Sequence, residues 1–340
     1  MLPLRHPWQL ATALQTTPRR LVDVLEYADD FYEELVLLDP RKPAKQRLVI
    51  SPQGCMRTFQ ERFYRGVLLP RLDRSPHSHG GVPGRNLLTN VRPHLGHTFV
   101  FTTDVSNFYP SIHRQRVLDL FTRLGCSPEV AGLSTRLCTY RNQLAQGLLT
   151  SPILADQLLR PVDDRIGGAC QKASAGQKAE LAYTRFVDDI AISGTFDLEQ
   201  SGFPGLVRRI LAESGLAVNE EKDQFGTASD GATITNLRFP RGHPDVQKAY
   251  YNEVVRQLQD VARLGRGETF EGPYYTEGQI KGRVQFICWV NPGRRRLLLP
   301  LLKRVNWKKA RAEGQSRGLE VIRKKLIRPA EPMSARLGSP

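Results

Sequence analysis

Three aspartates stand where a strand would ordinarily avoid charge. The run Phe99-Val100-Phe101-Thr102-Thr103-Asp104 ends an apolar, β-branched stretch in a carboxylate. Further along, Tyr183-Thr184-Arg185-Phe186-Val187-Asp188-Asp189-Ile190-Ala191-Ile192-Ser193 sets two adjacent carboxylates between apolar runs, the pattern of a β-hairpin turn. Apolar flanks put the neighbouring backbone in the interior, and a buried carboxylate without a partner is costly. A divalent cation offsets that cost. Three carboxylates from neighbouring strands suit a pair of Mg²⁺ ions roughly 3.5–4 Å apart, the arrangement that serves in-line phosphoryl transfer. An isolated Asp-Asp pair is more often a polar turn, so the weight comes from its surroundings. A second pair, in Tyr27-Ala28-Asp29-Asp30, lies close to Glu26, Glu33 and Glu34 with no hairpin context, and reads as a solvated helix face.

Periodicity and chain breakers outline the elements that must carry these acids. Residues 9–38 read as mostly helical, ending at Asp39-Pro40-Arg41-Lys42-Pro43, and 45–50 as a short strand. Helical spacing returns over 55–72 and 85–96, around a His-, Gly- and Pro-rich loop at 75–84. Residues 98–105 form an expected strand; helices are expected over 113–124, 128–138 and 153–166, then an exposed linker over 169–179. Strands at 181–187 and 190–193 flank the aspartate pair, 198–214 and 244–264 read as helices, and 216–218 and 234–238 as strands. Beyond 272 the chain is mostly helical, with breaks at Pro292-Gly293 and Pro300 and a frayed final ten residues. The mixture is α/β (α+β) with a helical, basic C-terminal lobe.

Composition bounds the function from the other side. With 340 residues, 40% hydrophobic and 24% charged, the chain can bury a sizeable core in two or three structural units. Its formal charge of +15 is uneven: residues 281–340 hold sixteen Lys/Arg against three Asp/Glu. A basic end on a near-neutral body points to a bound polyanion. No uncharged apolar stretch reaches the roughly 18 residues of a transmembrane helix. The N-terminus does not read as a secretory signal, and the five scattered cysteines form neither a disulfide framework nor a CxxC site, so the cytoplasm is the expected setting.

At this point four ordered segments resemble the palm motifs of reverse transcriptases. They are Asp104-Val105-Ser106-Asn107-Phe108-Tyr109-Pro110-Ser111-Ile112, Gln146-Gly147-Leu148-Leu149-Thr150-Ser151-Pro152, Phe186-Val187-Asp188-Asp189, and Gly215-Leu216-Ala217-Val218-Asn219-Glu220-Glu221-Lys222. The similarity spans roughly residues 30–305. It implies a right-hand polymerase fold: an N-terminal and fingers region over 1–97, a palm over 98–240 with a helical insertion at 113–144, and a thumb with a basic RNA-binding region over 241–340. It also implies roles. Asp104 and Asp188 would bind both metals (Mg²⁺, with Mn²⁺ as the alternative), supported by Asp189 and the Val105 carbonyl. Tyr109 would sit beneath the sugar and exclude a 2′-hydroxyl, and Gln146-Gly147 would let template and incoming base come close to the backbone. Lys222 would protonate departing pyrophosphate, while Lys45 and Arg47 would supply positive charge to the dNTP triphosphate.

Among reverse transcriptases the chain is most similar to compact bacterial ones, the retron enzymes and their antiphage relatives, with no stretch to spare for a protease, RNase H or endonuclease. Asn90-Val91-Arg92-Pro93-His94 resembles the retron Asn-Ala-x-x-His motif, and Ile234-Thr235-Asn236 stands where retron enzymes carry Val-Thr-Gly. Residues 282–292 resemble the thumb segment, followed by Arg294-Arg295-Arg296, Lys303-Arg304, Trp307-Lys308-Lys309 and Arg323-Lys324-Lys325. These basic clusters are expected on nucleic-acid phosphates, with Asn90 and His94 as further contacts. The resemblance implies a structured noncoding RNA as template and as a source of primer, dNTPs as substrates and DNA as product, in antiphage defence. It leaves room for an effector protein and for oligomers, and implies no membrane. Template-independent or protein-primed synthesis, and a non-catalytic maturase-like RNA-binding protein, stand as alternative readings.

Overall fold

Prolines and a cap set the first helices, α1 (Pro7–Ala13) and α2 (Pro18–Glu26), where Thr17 accepts from the Arg20 N–H. The computed structural model describes residues 2, 4–39, 46–177, 180–218, 220–269, 274–319, 321 and 325–329. After α2 a 3₁₀ turn over Ala28–Phe31 leads into strand β1 (Tyr32–Leu38), so the helix expected to reach residue 38 stops short. Leu35-Val36-Leu37-Leu38 is an unbroken apolar run, which periodicity cannot divide between helix and strand. Asp29 and Asp30 thus lie in a 3₁₀ turn, not on a helix face. Strand β2 (Arg47–Pro52) pairs antiparallel with β1; Lys45 lies outside the described residues.

Next come α3 (Gly54–Phe63), a π turn over Tyr64–Leu68, and α4 (Leu87–Val91). The central sheet is built from β3 (Phe99–Asp104), β4 (Leu181–Phe186), β5 (Asp189–Gly194) and β6 (Gln224–Thr227), all antiparallel, in the order β4-β5-β3-β6. Helices α5 (Arg114–Arg123), α6 (Pro128–Cys138), α7 (Ser151–Gln177) and α8 (Phe203–Glu213) accompany it. Alternation along the strands divides the core. Phe101, Ile190 and Ile192 join the cluster formed with the N-terminal helices and α5–α8, whereas Val100 and Ala191 turn to a second cluster shared with the C-terminal helices.

Two expectations change here. The exposed linker expected over 169–179 is helical through Gln177, because Ala, Lys and Gln there are good helix formers. Within α7, Gly167 serves packing: a Cβ there would collide with the His77 ring. Residues 216–218 contribute only a bridge, Val105 to Val218, and the sheet edge is taken by β6.

The C-terminal part opens with three short strands, β7 (Thr233–Ile234), β8 (Leu237–Arg238) and β9 (Asp245–Val246). Helices α9 (Lys248–Arg266), α10 (Glu277–Val290), α11 (Arg295–Lys303) and α12 (Trp307–Ser316) follow, all buried against one core through Val254, Leu258, Val284, Leu298 and Ala310. Pro300 does not end α11; it lies on an exposed face, where water can take up the backbone carbonyl it leaves unbonded. Strand β10 (Lys325–Ile327) then returns to pair with the free edge of β1, and Arg328 forms an ion pair with Glu33.

Candidate active site

Register places the first two acids. Asp104, at the end of β3, lies opposite Asp189, the first residue of β5. Asp189 also faces Phe186 across the β4–β5 hairpin, leaving Val187 and Asp188 as its two-residue turn. Val187 has φ +63° and Asp188 does not share it, the pattern of a II′ turn, which normally puts glycine at this position. The Val105 N–H donates to the Asp188 carbonyl at 3.2 Å and ties the turn to the end of β3. As a result, ligand oxygens of Asp104, Asp188 and Asp189 all lie within 4.8 Å of one another.

Three anions this close repel. Burial, then the Asp104 charge, raises the Asp188 carboxyl above its ordinary range. Asp189 keeps an open side to solvent, yet the surrounding protein, followed by Asp188 and Asp104, pushes it up to about 6. Lys222, in a 3₁₀ turn over Glu220–Lys222, supplies a counter-charge by bonding its Nζ to Asp104 Oδ2. A clustered, cation-seeking set of carboxylate oxygens is the donor chemistry of a hard divalent ion, so these residues fit one.

The other expected residues separate into two groups. Tyr109 is half-buried beside Phe108, with ring centroids 5.2 Å apart. Burial and the charge of Asp188 push its hydroxyl up to about 12. The Gln146 carbonyl accepts from the Ile50 N–H at 2.8 Å, joining this loop to β2, whose first residue, Arg47, is exposed. Gly147 has φ +108°, and a Cβ there would run into the Ile50 carbonyl. This glycine is required by a close approach to the chain's own β2.

Asn90 and His94 are corrected. Both are buried: Asn90 Nδ2 donates to Thr235 Oγ1 at 3.3 Å, and the His94 ring bonds Ser193 Oγ at 2.6 Å and Thr184 Oγ1 at 2.8 Å. Neither presents its side chain to a nucleic acid. Arg294 is likewise engaged, donating to Asp245 Oδ2 at 2.6 Å with its guanidinium over the Tyr251 ring. Arg295, Arg296, Lys303, Arg304, Lys308 and Lys309 are exposed on α11, α12 and the turn between them.

Sequence reading missed the support under the hairpin. Arg185, in β4, is 1% exposed and donates Nε to Asp163 Oδ1 at 2.8 Å and Nη2 to Asp163 Oδ2 at 2.7 Å. Its Nη2 also reaches Asp156 Oδ1 at 3.1 Å, and Tyr183 Oη donates to Asp163 at 2.7 Å. Burial alone would raise the Asp163 carboxyl; Arg185 outweighs it and holds the group below its ordinary range. The signal was present in an apolar helical stretch that carried two aspartates seven residues apart, on one face of α7.

The family model described as reverse transcriptase (RNA-dependent DNA polymerase) matches residues 41–258. The chain belongs to the reverse transcriptase family. It is an RNA-directed DNA polymerase, and its relatives are retron enzymes of bacteria. It is 25% identical to the retron Ec86 reverse transcriptase of Escherichia coli over 304 residues, 89% of each chain. It is 28% identical to the retron Mx65 reverse transcriptase of Myxococcus xanthus over 216 residues, 58% of this chain and 49% of that one. Among solved structures, telomerase from Candida albicans in complex with a telomeric RNA fragment aligns over 88% of this chain and 60% of its own, with TM-score 0.44 and 11% identity. The family match, with the antiparallel central sheet and its helices, bears out the expected α/β polymerase fold. Among the described residues, no helix is long and apolar enough to cross a membrane.

Proposed function

We propose that this reverse transcriptase extends a primer 3′-hydroxyl with dNTPs along a bound, structured noncoding RNA, using two Mg²⁺ ions, in the bacterial cytoplasm and in antiphage defence. The observation that carries the reading is the meeting of Asp104 from β3, Asp189 from β5 and Asp188 from the β4–β5 turn in one cation-seeking cluster beside Lys222. Those three carboxylates, with the Val105 carbonyl, would hold the ions, with Mn²⁺ as a substitute. Bound there, the ions would supply a lowered pKa for the primer hydroxyl and positive charge for the triphosphate.

The remaining roles belong to the protein's own groups. Lys222 holds a proton on Nζ next to Asp104, where leaving pyrophosphate would need one. Tyr109 closes the floor of the site against a 2′-hydroxyl. Arg47 and Lys45 meet triphosphate or backbone phosphate, and the Gln146–Gly147 loop shapes the template side by fixing β2. The exposed Arg and Lys of the C-terminal helices grip the RNA, which serves as template and gives the priming group.

The test replaces Asp188 and Asp189 together with Ala. Mg²⁺-dependent dNTP incorporation should disappear while RNA binding stays within about twofold; synthesis by the double variant would sink the assignment. Sequencing wild-type product separates the modes of synthesis. Complementarity to a co-purified RNA supports templating, and a homopolymer supports untemplated or protein-primed synthesis. The biological setting is read from phage plating on cells carrying wild type or the double variant, with protection expected from the wild type alone.

A further inference from the structure

The catalytic hairpin is held in a conformation its sequence does not favour. A β-branched side chain at positive φ is strained, because its Cβ crowds the backbone, and Val187 stands there where a II′ turn would take glycine. Something must hold it. On one side Arg185 Nη1 donates to the Val187 carbonyl at 2.9 Å. The same guanidinium is fixed by its fork on Asp163 and by Asp156, both on α7, so the clamp is anchored to a long buried helix. On the other side lies Gly80, where a Cβ would stand 2.5 Å from the Val187 nitrogen and 2.5 Å from its Cγ2. Backbone pairing delivers Gly80: the Arg185 N–H donates to the His77 carbonyl and the His79 N–H to the Arg185 carbonyl, each at 2.8 Å.

We propose that Arg185 is a positioning residue for the polymerase reaction: through the Val187 carbonyl it fixes the strained turn that turns Asp188 toward Asp104. Gly80 completes the clamp, and Asp163 and Asp156 anchor it. An arginine serving only the core would be satisfied by the two aspartates. This one spends its remaining nitrogen on the carbonyl directly preceding Asp188. Lysine, with a single nitrogen, cannot span Asp163, Asp156 and Val187 at once. The inference rests on reading the three aspartates as the metal-binding centre.

The test compares wild type, Arg185→Lys, Gly80→Ala and the double variant Arg185→Lys/Val187→Gly. Mn²⁺ affinity is read by electron paramagnetic resonance, and turnover per titrated active site is read on oligo(dT)-primed poly(rA) with dTTP. Arg185→Lys and Gly80→Ala should each weaken Mn²⁺ binding about tenfold and lower kcat tenfold or more, with primer–template affinity within twofold. Glycine adopts positive φ without strain, so adding Val187→Gly to Arg185→Lys should restore most of the Mn²⁺ affinity. A purely structural arginine would instead give a lower melting temperature with Mn²⁺ affinity and kcat within twofold of wild type, and that result overturns the proposal. If Arg185→Lys does not fold, Gly80→Ala decides alone, since it displaces the turn with the ion pairs intact. Wild type that neither polymerises nor loses Mn²⁺ binding on Asp188→Ala/Asp189→Ala would mark failure of the functional reading itself.

Discussion

Tyr109 is the residue whose role can be read most directly from a substrate choice. Its half-buried ring packs on Phe108 and against the core, five residues beyond Asp104 in the chain. Discrimination by a steric wall is lost when the wall is shortened. Tyr109→Val should therefore raise rNTP incorporation relative to dNTP by about tenfold or more, measured as the ratio of kcat/KM values in single-nucleotide extension, with dNTP turnover little changed. An unchanged ratio would assign the ring to the core alone. At this scale the acids were legible because carboxylates at the ends of apolar strands conflict with burial unless a cation joins them. Arg185 was not legible in the same way. One basic residue in a strand has many uses, and its partners Asp156 and Asp163 come from a different element, which only the folded chain brings together.

Elements stay in register through groups that are buried and neutral, and this makes the palm sheet sensitive to acid. His94 bonds Ser193 in β5 and Thr184 in β4, while His97 also bonds Ser193 at 2.6 Å. Burial, with His97 and His79 adding to it, lowers His94 to about 3. A histidine lowered in the fold leaves stability intact above the unfolded value of about 6.5 and loses it as pH falls toward the folded value. Between pH 7 and pH 5 the loss from His94 is about 2 kcal/mol, and His97 and His79, lowered as well, act in the same direction. The raised Asp188 and Asp189 carboxyls act in the opposite direction, so the check is urea unfolding of wild type and His94→Gln at both pH values. The variant should lose about 2 kcal/mol less than wild type on going from pH 7 to pH 5, and equal losses in the two proteins would refute the argument. The element map was read well where one residue type dominates, as in β3 and the β4–β5 hairpin. It failed where local pattern is ambiguous: β1 carries a continuous apolar run, and α7 continues through Gly167-Gly168, of which packing against His77 requires the first.

Across the whole molecule, some basic groups are tied into the fold and others are left exposed, open to a polyanion. The sequence marks residues 281–340 as basic but does not separate these two uses. The fold does. Arg294 is tied to Asp245 and Tyr251 at the start of α11, whereas Arg295, Arg296, Lys303 and Arg304 project from α11 and its end without acidic partners among the described ion pairs. Each cation that contacts a nucleic-acid phosphate releases counterions, so the logarithm of the binding constant falls with log salt by roughly 0.7–0.9 per contact. Replacing Arg295, Arg296, Lys303 and Arg304 with Gln should therefore reduce the salt slope of RNA binding by about 3, with the melting temperature nearly unchanged. Arg294→Gln should do the reverse, because it breaks a partly buried pair and removes no free cation: the fold weakens and the salt slope stays near its wild-type value. Binding isotherms at several salt concentrations, paired with thermal unfolding, distinguish the two outcomes. If the four exposed cations proved silent in the slope, the polyanion would have to lie on another face, and the C-terminal helices would be basic for solubility alone.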